Sequence, residues 1–364
     1  MKAAVITRHA VSNYGSLLQA LATQKAIEKL GVECEIIDYV RTDESYRNVE
    51  KTLVKNKPKW NNNALKKAVY LSLRQPESVI VGKRFQKMRG SVLNLSRRYS
   101  SNEELRNAPP KADFYIAGSE QVWGPVSDGS LDLSYLLNFA KGKKLSYASS
   151  IGKGQIDESC KAALQRELKG FKRVTVREDS AVKILGKMGI NAEKVLDPVF
   201  LLDREEWSDY IEETPKQKYV LVYQIHNDTR LNDYAAKLAQ KKGLKLIRVS
   251  PYYHQKNRAG SLKHPNIGEF LSYIKNAELL VTDSFHGTAF AIIFNTVFVE
   301  VLPNNKTQER NRSVLSMTGL SDRILRDNND LALADRRIDF AYANEIIKTE
   351  REKSLKLLKE MLNG

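Results

Sequence analysis

The strongest constraint on the fold is the order of apolar and amphipathic segments along the chain. Residues 2–7 form an apolar strand pattern, residues 16–30 a helical pattern that ends at Gly31, and residues 32–39 a second strand pattern. Parallel neighbouring strands need a crossover connection, which an amphipathic helix supplies, so this order predicts a parallel sheet. A second series of the same kind runs over residues 219–301. The sequence therefore predicts an α/β fold with two Rossmann-like domains, whose ligands bind beyond the carboxyl ends of the strands.

The domain boundary is predicted from a change in composition. A chain of 364 residues is long enough for two domains. Residues 203–218 are charged and irregular and include Pro215, which is typical of a linker. We expect an N-terminal domain over residues 1–205, a C-terminal domain over 216–330, and a Lys/Glu-rich helix over 338–364 that packs back on the chain.

The N-terminal domain is expected to contain a basic helical insertion at about residues 41–110. This segment holds 16 Lys or Arg and 6 Asp or Glu, in a chain whose formal net charge is +16. Apolar residues recur every three or four positions over 63–73 and 78–93, which predicts two helices. A basic helical face suits an anionic partner such as a membrane surface, whereas a solvated face with no partner explains the same composition.

Several classes of protein are disfavoured by the composition. The two cysteines, Cys34 and Cys160, can form neither a cystine framework nor a zinc cluster, which favours a reducing compartment. The first residues lack the apolar core of a signal peptide, and no segment reaches the roughly 18 apolar residues of a membrane span. The five histidines show no metal-ligand spacing. We therefore expect a cytoplasmic protein, soluble or peripheral to the membrane, without a metal site.

Residues 281–294, VTDSFHGTAFAIIF, form the most informative segment. An apolar strand ends at Asp283 and Ser284, and His286 and Gly287 open an apolar helix. Free backbone donors and the positive end of a helix bind anions at such a junction. A histidine there donates a hydrogen bond to phosphate or carboxylate, or acts as an acid. The alternative is a capping cluster with a structural histidine.

Arg177 follows another predicted strand, at residues 173–176. Its planar guanidinium matches a phosphate or a carboxylate, which makes it a second candidate for anion binding. An ordinary ion pair with Glu178 or Asp179 is the alternative.

Two glycine-containing loops, at residues 8–16 and 118–125, follow predicted strands. Neither is a dinucleotide fingerprint or a phosphate-binding P-loop, so nicotinamide and nucleoside-triphosphate functions lose their usual support. The loops offer side chains that suit a sugar, by hydrogen bonds to its hydroxyls or by stacking on its apolar face: Asn13, Tyr14, Gln121 and Trp123. The alternative is ordinary turn chemistry, with the tryptophan as a core residue.

Six segments, taken in order, resemble the polysaccharide pyruvyl transferase family, over about residues 3–325. They are NYGSLLQA (13–20), GSEQVW (118–123), SYASSIG (146–152), VREDSA (176–181), LDPVFLL (196–202) and TDSFHGTAFAIIF (282–294).

This resemblance implies a fold similar to the GT-B glycosyltransferases, with a cleft between the two domains that binds phosphoenolpyruvate. It also implies transfer of the carboxyethylidene group of phosphoenolpyruvate to two hydroxyls of a sugar in a cell-surface polysaccharide precursor. The products are a cyclic pyruvate ketal and free phosphate, and no cofactor is implied beyond the donor. By resemblance, Arg177 matches the family's donor-binding arginine, and His286 matches a histidine near the phosphate that is proposed as an acid.

One position departs from the family pattern. Members with established activity carry Arg-Leu-His where this chain has Ser284-Phe285-His286. Losing that arginine weakens donor binding unless another residue compensates, or else this branch uses another donor. Arg310 and Arg312, downstream of the last strand, are near enough in sequence to compensate. The donor-binding set expected from the sequence is Arg177, Ser284, His286, Gly287 and Arg312.

Two other functions stay open at this point. One is a GT-B glycosyltransferase that uses a nucleotide sugar, and the other is a basic scaffold that binds nucleic acid or membrane through residues 41–110. Nucleic acid is not expected as a partner, because aromatic residues are sparse in that segment. Acceptors in the resembled family are commonly built on lipid carriers. We therefore expect a sugar acceptor, lipid-linked or soluble, and peripheral contact with the anionic inner face of the membrane.

Overall fold

The protein consists of two compact units along the chain. The structure is a computed structural model that describes residues 1–126, 129–152, 155–213, 217–303 and 308–363, except for the side chains of 256 and 257. Unit 1 comprises Met1–Pro198 together with Leu355–Gly364, and unit 2 comprises Val199–Ser354. The sequence placed the first boundary at residue 205. Pro215 and residue 216, the predicted start of the second domain, lie outside the described residues.

The described part of unit 1 contains a six-stranded and a two-stranded sheet, both parallel. Its strands are β1 (Lys2–Ile6), β2 (Glu33–Tyr39), β3 (Leu95–Tyr99), β4 (Phe114–Ala117), β5 (Lys143–Ser146), β6 (Phe171–Arg173), β7 (Thr175–Val176) and β8 (Glu193–Lys194). The order across the larger sheet is β3-β2-β1-β4-β5-β6, and β7 pairs with β8. Every residue of β4 is buried, and so are all of β1 except the first, as expected for central strands covered on both faces.

Helices connect these strands. They are α1 (Tyr14–Lys29), α2 (Val49–Leu53), α3 (Pro58–Asn61), α4 (Ala64–Val92), α5 (Asn102–Asn107), α6 (Glu158–Leu168) and α7 (Asp179–Gly186). Asn13 caps α1, because its side-chain oxygen accepts a hydrogen bond from the Ser16 backbone N–H. None of the described helices combines the length and the hydrophobicity needed to cross a bilayer.

Helix α4 corrects two sequence predictions. The helical pattern is confirmed, but the predicted break between residues 73 and 78 is wrong, because one helix runs through Pro76. Buried Glu50 of α2 accepts hydrogen bonds from Tyr70 and Ser78, each at 2.7 Å, so one carboxylate holds the helix on both sides of the proline. The insertion at 41–110 is also not wholly helical, since it supplies β3, which pairs with β2.

The described part of unit 2 contains a five-stranded parallel sheet in the order β11-β10-β9-β12-β13. Its strands are β9 (Tyr219–Tyr223), β10 (Lys245–Val249), β11 (Ser261–Lys263), β12 (Leu279–Thr282) and β13 (Phe298–Glu300). Its helices are α8 (Arg204–Ser208), α9 (Thr229–Lys242), α10 (Ile267–Lys275), α11 (Phe285–Phe294), α12 (Glu309–Met317) and α13 (Phe340–Asn363), the last of which continues into unit 1.

Each large sheet has a point where the strand order reverses. In unit 1 the chain runs outward from β1 to β2 and β3, and then returns to the other side of β1 as β4. In unit 2 it runs outward from β9 to β10 and β11, and then returns beside β9 as β12. The loops that follow the two central strands therefore diverge at the carboxyl edge, which is where open α/β sheets bind ligands. We call these places the unit 1 and unit 2 switch points.

Candidate functional site

The predicted anion site lies at the unit 2 switch point. Ser284 caps α11, and its Oγ accepts a hydrogen bond from the Gly287 N–H at 3.3 Å. The Ser284 N–H in turn donates to Thr282 Oγ1 at the end of β12, at 3.0 Å. His286 lies in the first turn of α11, is 5% exposed, and stands edge-on to the Phe285 ring. All ten residues of α11 are buried, so the core fixes the position of this turn.

Gly287 is required by a close approach. A Cβ atom at this position would lie 2.5 Å from Thr282 Oγ1 and 3.1 Å from the Tyr223 ring. Thr282 Oγ1 cannot easily move away, because it also donates to the Tyr223 carbonyl at 2.7 Å. The start of α11 is therefore packed directly against the ends of β12 and β9.

Asp283 joins the two sides of the unit 2 switch point. Its carboxylate is 1% exposed and accepts backbone N–H hydrogen bonds from Ile225, at 2.7 Å, and from His226, at 2.9 Å. The His226 Nδ1 atom also lies 3.3 Å from Asp283 Oδ2. The loop after β9 is thus fixed to the end of β12. Sequence reasoning could not find His226, which is a single histidine beyond an apolar strand.

Two arginines that the sequence analysis missed converge on the same edge. Arg248, on β10, is fully buried and donates through Nη1 to Gln224 Oε1 at 3.2 Å. Arg258 donates through Nη1 to the same oxygen at 2.5 Å. Gln224 directly follows β9, so both guanidinium groups are held at the carboxyl ends of the central strands.

Glu300 is a buried acid behind the first turn of α11. It ends β13, is fully buried, and accepts a hydrogen bond from Asn311 Nδ2 at 2.6 Å. Its other carboxyl oxygen is hydrogen-bonded to the Thr288 hydroxyl. Burial raises the pKa of Glu300 to about 8. This group therefore connects α11, β13 and α12 through a carboxyl that is largely neutral at physiological pH.

The structure separates the roles expected of Arg310 and Arg312. The Arg312 side chain is exposed and donates to Gln308 Oε1, at 3.1 and 3.2 Å, on its own helix. The guanidinium carbon of Arg310 instead lies 5.8 Å from the centre of the ring of Phe285, the residue that precedes His286 in α11. Of the two arginines, Arg310 is the one in contact with α11, so the geometry favours it over the predicted Arg312.

Arg177, the other predicted donor-binding residue, sits in a buried ion-pair cluster of unit 1. Its Nη1 donates to Asp197 Oδ2 at 2.6 Å and to Ser119 Oγ at 3.1 Å, and Glu120 and Glu178 lie 3.5 and 3.8 Å away. Burial lowers the pKa of the guanidinium, but these three carboxylates outweigh it, and the pKa of Arg177 lies above its ordinary value. In this geometry Arg177 takes part in ion pairs, as in the alternative that the sequence left open. Its role in donor binding stays a prediction.

The remaining carboxylates of this cluster shape the unit 1 switch point. Glu178 Oε1 accepts hydrogen bonds from the Ser150 hydroxyl, the Ile151 N–H and the Gly152 N–H, at 2.9, 2.9 and 3.4 Å. Glu120, in the loop after β4, has a φ of +79°, in the left-handed region that favours glycine. Strained backbone of this kind concentrates at functional sites. Across the described ranges, no three His, Cys, Asp or Glu side chains are grouped to hold a metal ion.

The aromatic residues predicted for the acceptor are corrected by the structure. Trp123 has no exposed surface, donates through Nε1 to the Tyr135 carbonyl at 3.2 Å, and stands edge-on to Phe171. Tyr14 is also fully buried, with its ring centre 5.1 Å from that of Phe85. Neither ring has a face on which a sugar can stack. Both residues are core anchors of unit 1.

The polar residues predicted for the acceptor lie at the unit 1 switch point. Asn13 is partly exposed at the start of α1, after the β1 loop. Gln121 is partly exposed in the loop after β4 and packs over Gly152, where a Cβ atom would lie 2.5 Å from the Gln121 side chain. Their predicted role in acceptor binding remains a prediction.

Comparisons with known proteins identify both family and fold. The family profile described as Polysaccharide pyruvyl transferase matches residues 13–306. No curated protein matches the chain in sequence. Among solved structures, UDP-GlcNAc 2-epimerase from Methanocaldococcus jannaschii, in complex with UDP-GlcNAc and UDP, is 14% identical with a TM-score of 0.53 and 100% of both chains covered. A putative UDP-N-acetylglucosamine 2-epimerase from Listeria monocytogenes is 10% identical with a TM-score of 0.51, covering 96% of this chain and 90% of that one.

At these identities the solved structures show the fold alone. The predicted fold class, α/β with two Rossmann-like domains similar to GT-B glycosyltransferases, is confirmed. The family profile covers most of the chain, including the β12–α11 junction with His286. This chain belongs to the polysaccharide pyruvyl transferase family.

Proposed function

We propose that this protein transfers the carboxyethylidene group of phosphoenolpyruvate to two hydroxyls of a sugar in a cell-surface polysaccharide precursor. The family supplies the class of reaction. The observation that carries the proposal is the unit 2 switch point, where the start of α11, His286 and several arginines share one sheet edge. This combination suits a donor that carries both a phosphate and a carboxylate.

The reaction needs an acid and an anion site. A proton added to the methylene carbon of phosphoenolpyruvate makes C2 electrophilic, and one sugar hydroxyl adds to it. The bond from C2 to the phosphate oxygen then breaks, and the second hydroxyl adds to C2 to close the ketal. The two sugar hydroxyls together release two protons. One of them replaces the proton that the acid gave to the methylene carbon, and the other leaves with the phosphate. Charge builds up on the departing phosphate, so donors aimed at it accelerate the reaction.

Unit 2 is assigned to the donor. His286 is assigned the acid role, or the hydrogen bond to the leaving phosphate, because it lies in the first turn of α11 with backbone donors around it. Arg310, against Phe285, adds positive charge at the same helix end. The capping of α11 by Ser284 leaves this residue in a positioning role, since its hydroxyl is engaged with Gly287.

Unit 1 is assigned to the acceptor. Its switch point carries carboxylates and amides rather than uncompensated cations, and such groups accept hydrogen bonds from sugar hydroxyls. Glu120 is the strongest candidate to accept a hydroxyl proton, because it is held at the switch point in a strained conformation. Arg177 then serves to position Glu120 and Asp197.

The experiment is a transfer assay with the purified protein. Phosphoenolpyruvate is incubated with a panel of nucleotide-linked and lipid-linked sugars, and phosphate release is measured with the mass of the sugar product. We expect phosphate release that depends on the sugar, together with a product that has gained one carboxyethylidene group. His286→Ala should keep the fold and reduce turnover on the order of 100-fold or more.

The same panel tests the alternative, a glycosyltransferase. Release of a nucleoside diphosphate from a nucleotide sugar, without consumption of phosphoenolpyruvate, would contradict the proposal. Near-normal turnover of His286→Ala would contradict the role given to this histidine. Unchanged thermal unfolding of the variant is the control for its folding.

A further inference from the structure

We infer that Arg258, supported by the buried guanidinium of Arg248, forms a phosphoryl-binding site at the unit 2 switch point. The inference rests on the proposed function in one respect, because the phosphoryl group is taken to be that of the donor. Arg258 is the contacting residue, and Arg248 is a positioning residue.

The first argument is an unbalanced buried charge. Arg248 has no exposed surface, and its hydrogen-bond acceptors are neutral: Gln224 Oε1 at 3.2 Å, Asn232 Oδ1 at 2.6 Å and the Ala259 carbonyl at 3.4 Å. Among the described residues, no carboxylate lies within 4.0 Å of Arg248, and its Nε has no hydrogen-bond partner. Burying a charge without a counter-ion is costly, and buried charges are normally paired. The fold therefore holds a positive charge that an anion would stabilise.

The second argument is the geometry of Arg258. Its Nη1 donates to Gln224 Oε1 at 2.5 Å and its Nη2 to Asn227 Oδ1 at 2.6 Å. Both partners are amides in the loop after β9, and the Arg258 side chain is partly exposed. A phosphoryl oxygen is a stronger acceptor for a guanidinium than an amide oxygen. A ligand can therefore replace Asn227 as the partner of Nη2 while Gln224 still holds the other arm.

The third argument is the location. Gln224 precedes Ile225, whose N–H donates to Asp283 beside the cap of α11. The two arginines thus lie at the same sheet edge as Ser284 and His286. Burial and the charge of Arg258 lower the pKa of Arg248 to about 10, whereas Asp283 acts in the opposite direction on both arginines. Asp283 is one carboxylate beside two guanidinium groups, so this edge keeps an excess of positive charge for a ligand.

A phosphoryl group is the class of ligand that fits. With Asp283 taken into account the two guanidinium groups still leave an excess of positive charge, which an anion complements, and the planar fork of Arg258 matches two phosphoryl oxygens. Phosphoenolpyruvate and a nucleoside diphosphate both present such a group. The test therefore uses inorganic phosphate, phosphoenolpyruvate and UDP as separate probes.

The test is titration calorimetry of the full chain with each probe. Arg258→Ala should weaken binding about 10- to 100-fold, as expected for loss of a charge-assisted contact, and Arg258→Lys should restore it only in part. Arg337→Ala, which removes an exposed arginine of unit 2, is the matched control and should leave binding unchanged. His286→Ala should lower turnover far more than it lowers affinity.

The outcomes separate this inference from the proposed function. If the protein turns over phosphoenolpyruvate and Arg258→Ala binds it as tightly as the unmodified chain, the Arg258 site is overturned and the proposed function stands. If phosphate and UDP bind through Arg258 but phosphoenolpyruvate neither binds nor reacts, the proposed function is overturned and the site stands. Binding of none of the three probes overturns both.

A second inference rests on a different observation, the outer face of α4. We propose that this face lies on an anionic lipid surface. Leu65, Val69, Leu73 and Ile80 are exposed by 73, 43, 67 and 56%, which is unusual for large apolar side chains. Their spacing places them on one stripe of the helix.

The charges around the stripe select the partner. Helix α4 contains seven Lys or Arg and one Glu. Lys83 and Lys87 follow Leu65 and Val69 by 18 residues, about five turns of helix, so they continue the same stripe. A second copy of this face would bring like charges together, whereas anionic headgroups above an apolar layer complement both features. Basic residues near such a surface each strengthen its attraction to the anionic headgroups.

Co-sedimentation with vesicles tests this surface. The chain should bind vesicles of mixed phosphatidylglycerol and phosphatidylcholine at low salt, and bind pure phosphatidylcholine poorly. The doubly substituted chains Leu65→Ser with Leu73→Ser, and Lys83→Gln with Lys87→Gln, should each lose most of the binding. Lys356→Gln with Lys359→Gln removes two exposed charges from α13 and should have little effect. Equal binding to both vesicle types, or full binding by the Leu65 and Leu73 variant, overturns the proposal.

Discussion

Replacing Glu300 with glutamine should make the folding stability of this protein less dependent on pH. Two features indicate that the Glu300 carboxyl is neutral in the folded state. The first is that the carboxyl is fully buried. The second is that the Thr288 hydroxyl has one proton for two acceptors, because its Oγ1 contacts both the Ser284 carbonyl, at 3.1 Å, and Glu300. When the hydroxyl donates to Ser284, the contact with Glu300 needs a proton on the carboxyl. A glutamine amide can donate to Thr288 and accept from Asn311 in the same way.

The size of the effect follows from the pKa. Burial raises the pKa of Glu300 from its ordinary value of 4.5 to about 8. Between these two pH values the folded chain keeps a proton that the unfolded chain releases. The stability contributed by the neutral acid is therefore complete below pH 4.5 and is lost as the pH rises to about 8. At about 1.4 kcal/mol for each pKa unit, the free energy of unfolding changes on the order of 5 kcal/mol.

The assay is urea denaturation at intervals from about pH 5 to about pH 9, with the slope of the transition checked at each pH. The free energy of unfolding of the unmodified chain should fall relative to that of Glu300→Gln as the pH rises. Taking the difference cancels the contributions of the other titrating groups. Glu352→Gln, which changes an exposed glutamate of the same unit, is the control and should parallel the unmodified chain. Parallel curves for Glu300→Gln as well would refute the assignment of a neutral buried acid.

Three further substitutions test the packing at the start of α11, in the loop after β4 and along α4. Gly287→Ala should lower the free energy of unfolding by about 1–3 kcal/mol in the same denaturation assay, because the new Cβ would meet Thr282. Gly186→Ala is the control and should be neutral or stabilising, because Gly186 of α7 has open space around it. Trp123→Ala should lower the free energy of unfolding by about 3–5 kcal/mol, because it removes a fully buried ring. A mild effect would mean that the ring is not a core anchor. Glu50→Ala should lower the free energy of unfolding by about 1–3 kcal/mol, because the Tyr70 and Ser78 hydroxyls lose their acceptor. Unchanged stability and unchanged helical circular dichroism would count against the role of Glu50 in bridging α4 across Pro76.

The local pattern was sufficient to predict the fold class and the start of α11. Apolar strands followed by amphipathic helices give the parallel sheets, and the change from an apolar strand to Ser284 and His286 marks the start of α11. These features depend on neighbours in sequence. The break predicted in α4 is wrong, because Glu50, from outside the helix, accepts hydrogen bonds from Tyr70 and Ser78 on either side of Pro76.

Features that depend on distant contacts were not predictable. Arg248 stands in the strand KLIRV, and nothing near it in sequence indicates that Gln224 and Asn232 will enclose it. The polar loop around Trp123 predicts a ring on which a sugar stacks, but the ring is buried and packs against Phe171, far along the chain. The sequence around Arg177 is compatible with an anion site and with an ion pair, and does not indicate its partner Asp197, 20 residues away. In each case the sequence contains the residue but not its surroundings.

The route of the chain through the two units has a consequence for biosynthesis. Unit 1 includes Leu355–Gly364, which follows all of unit 2 in the sequence. In this segment Leu358, Met361 and Leu362 are buried, and Glu360 pairs with Arg173 at 3.1 Å. During translation, the first 198 residues therefore leave the ribosome with an apolar surface that stays uncovered until unit 2 has been synthesised. Exposed apolar surface makes a nascent domain prone to aggregation, and a recombinant unit 1 needs both of its segments.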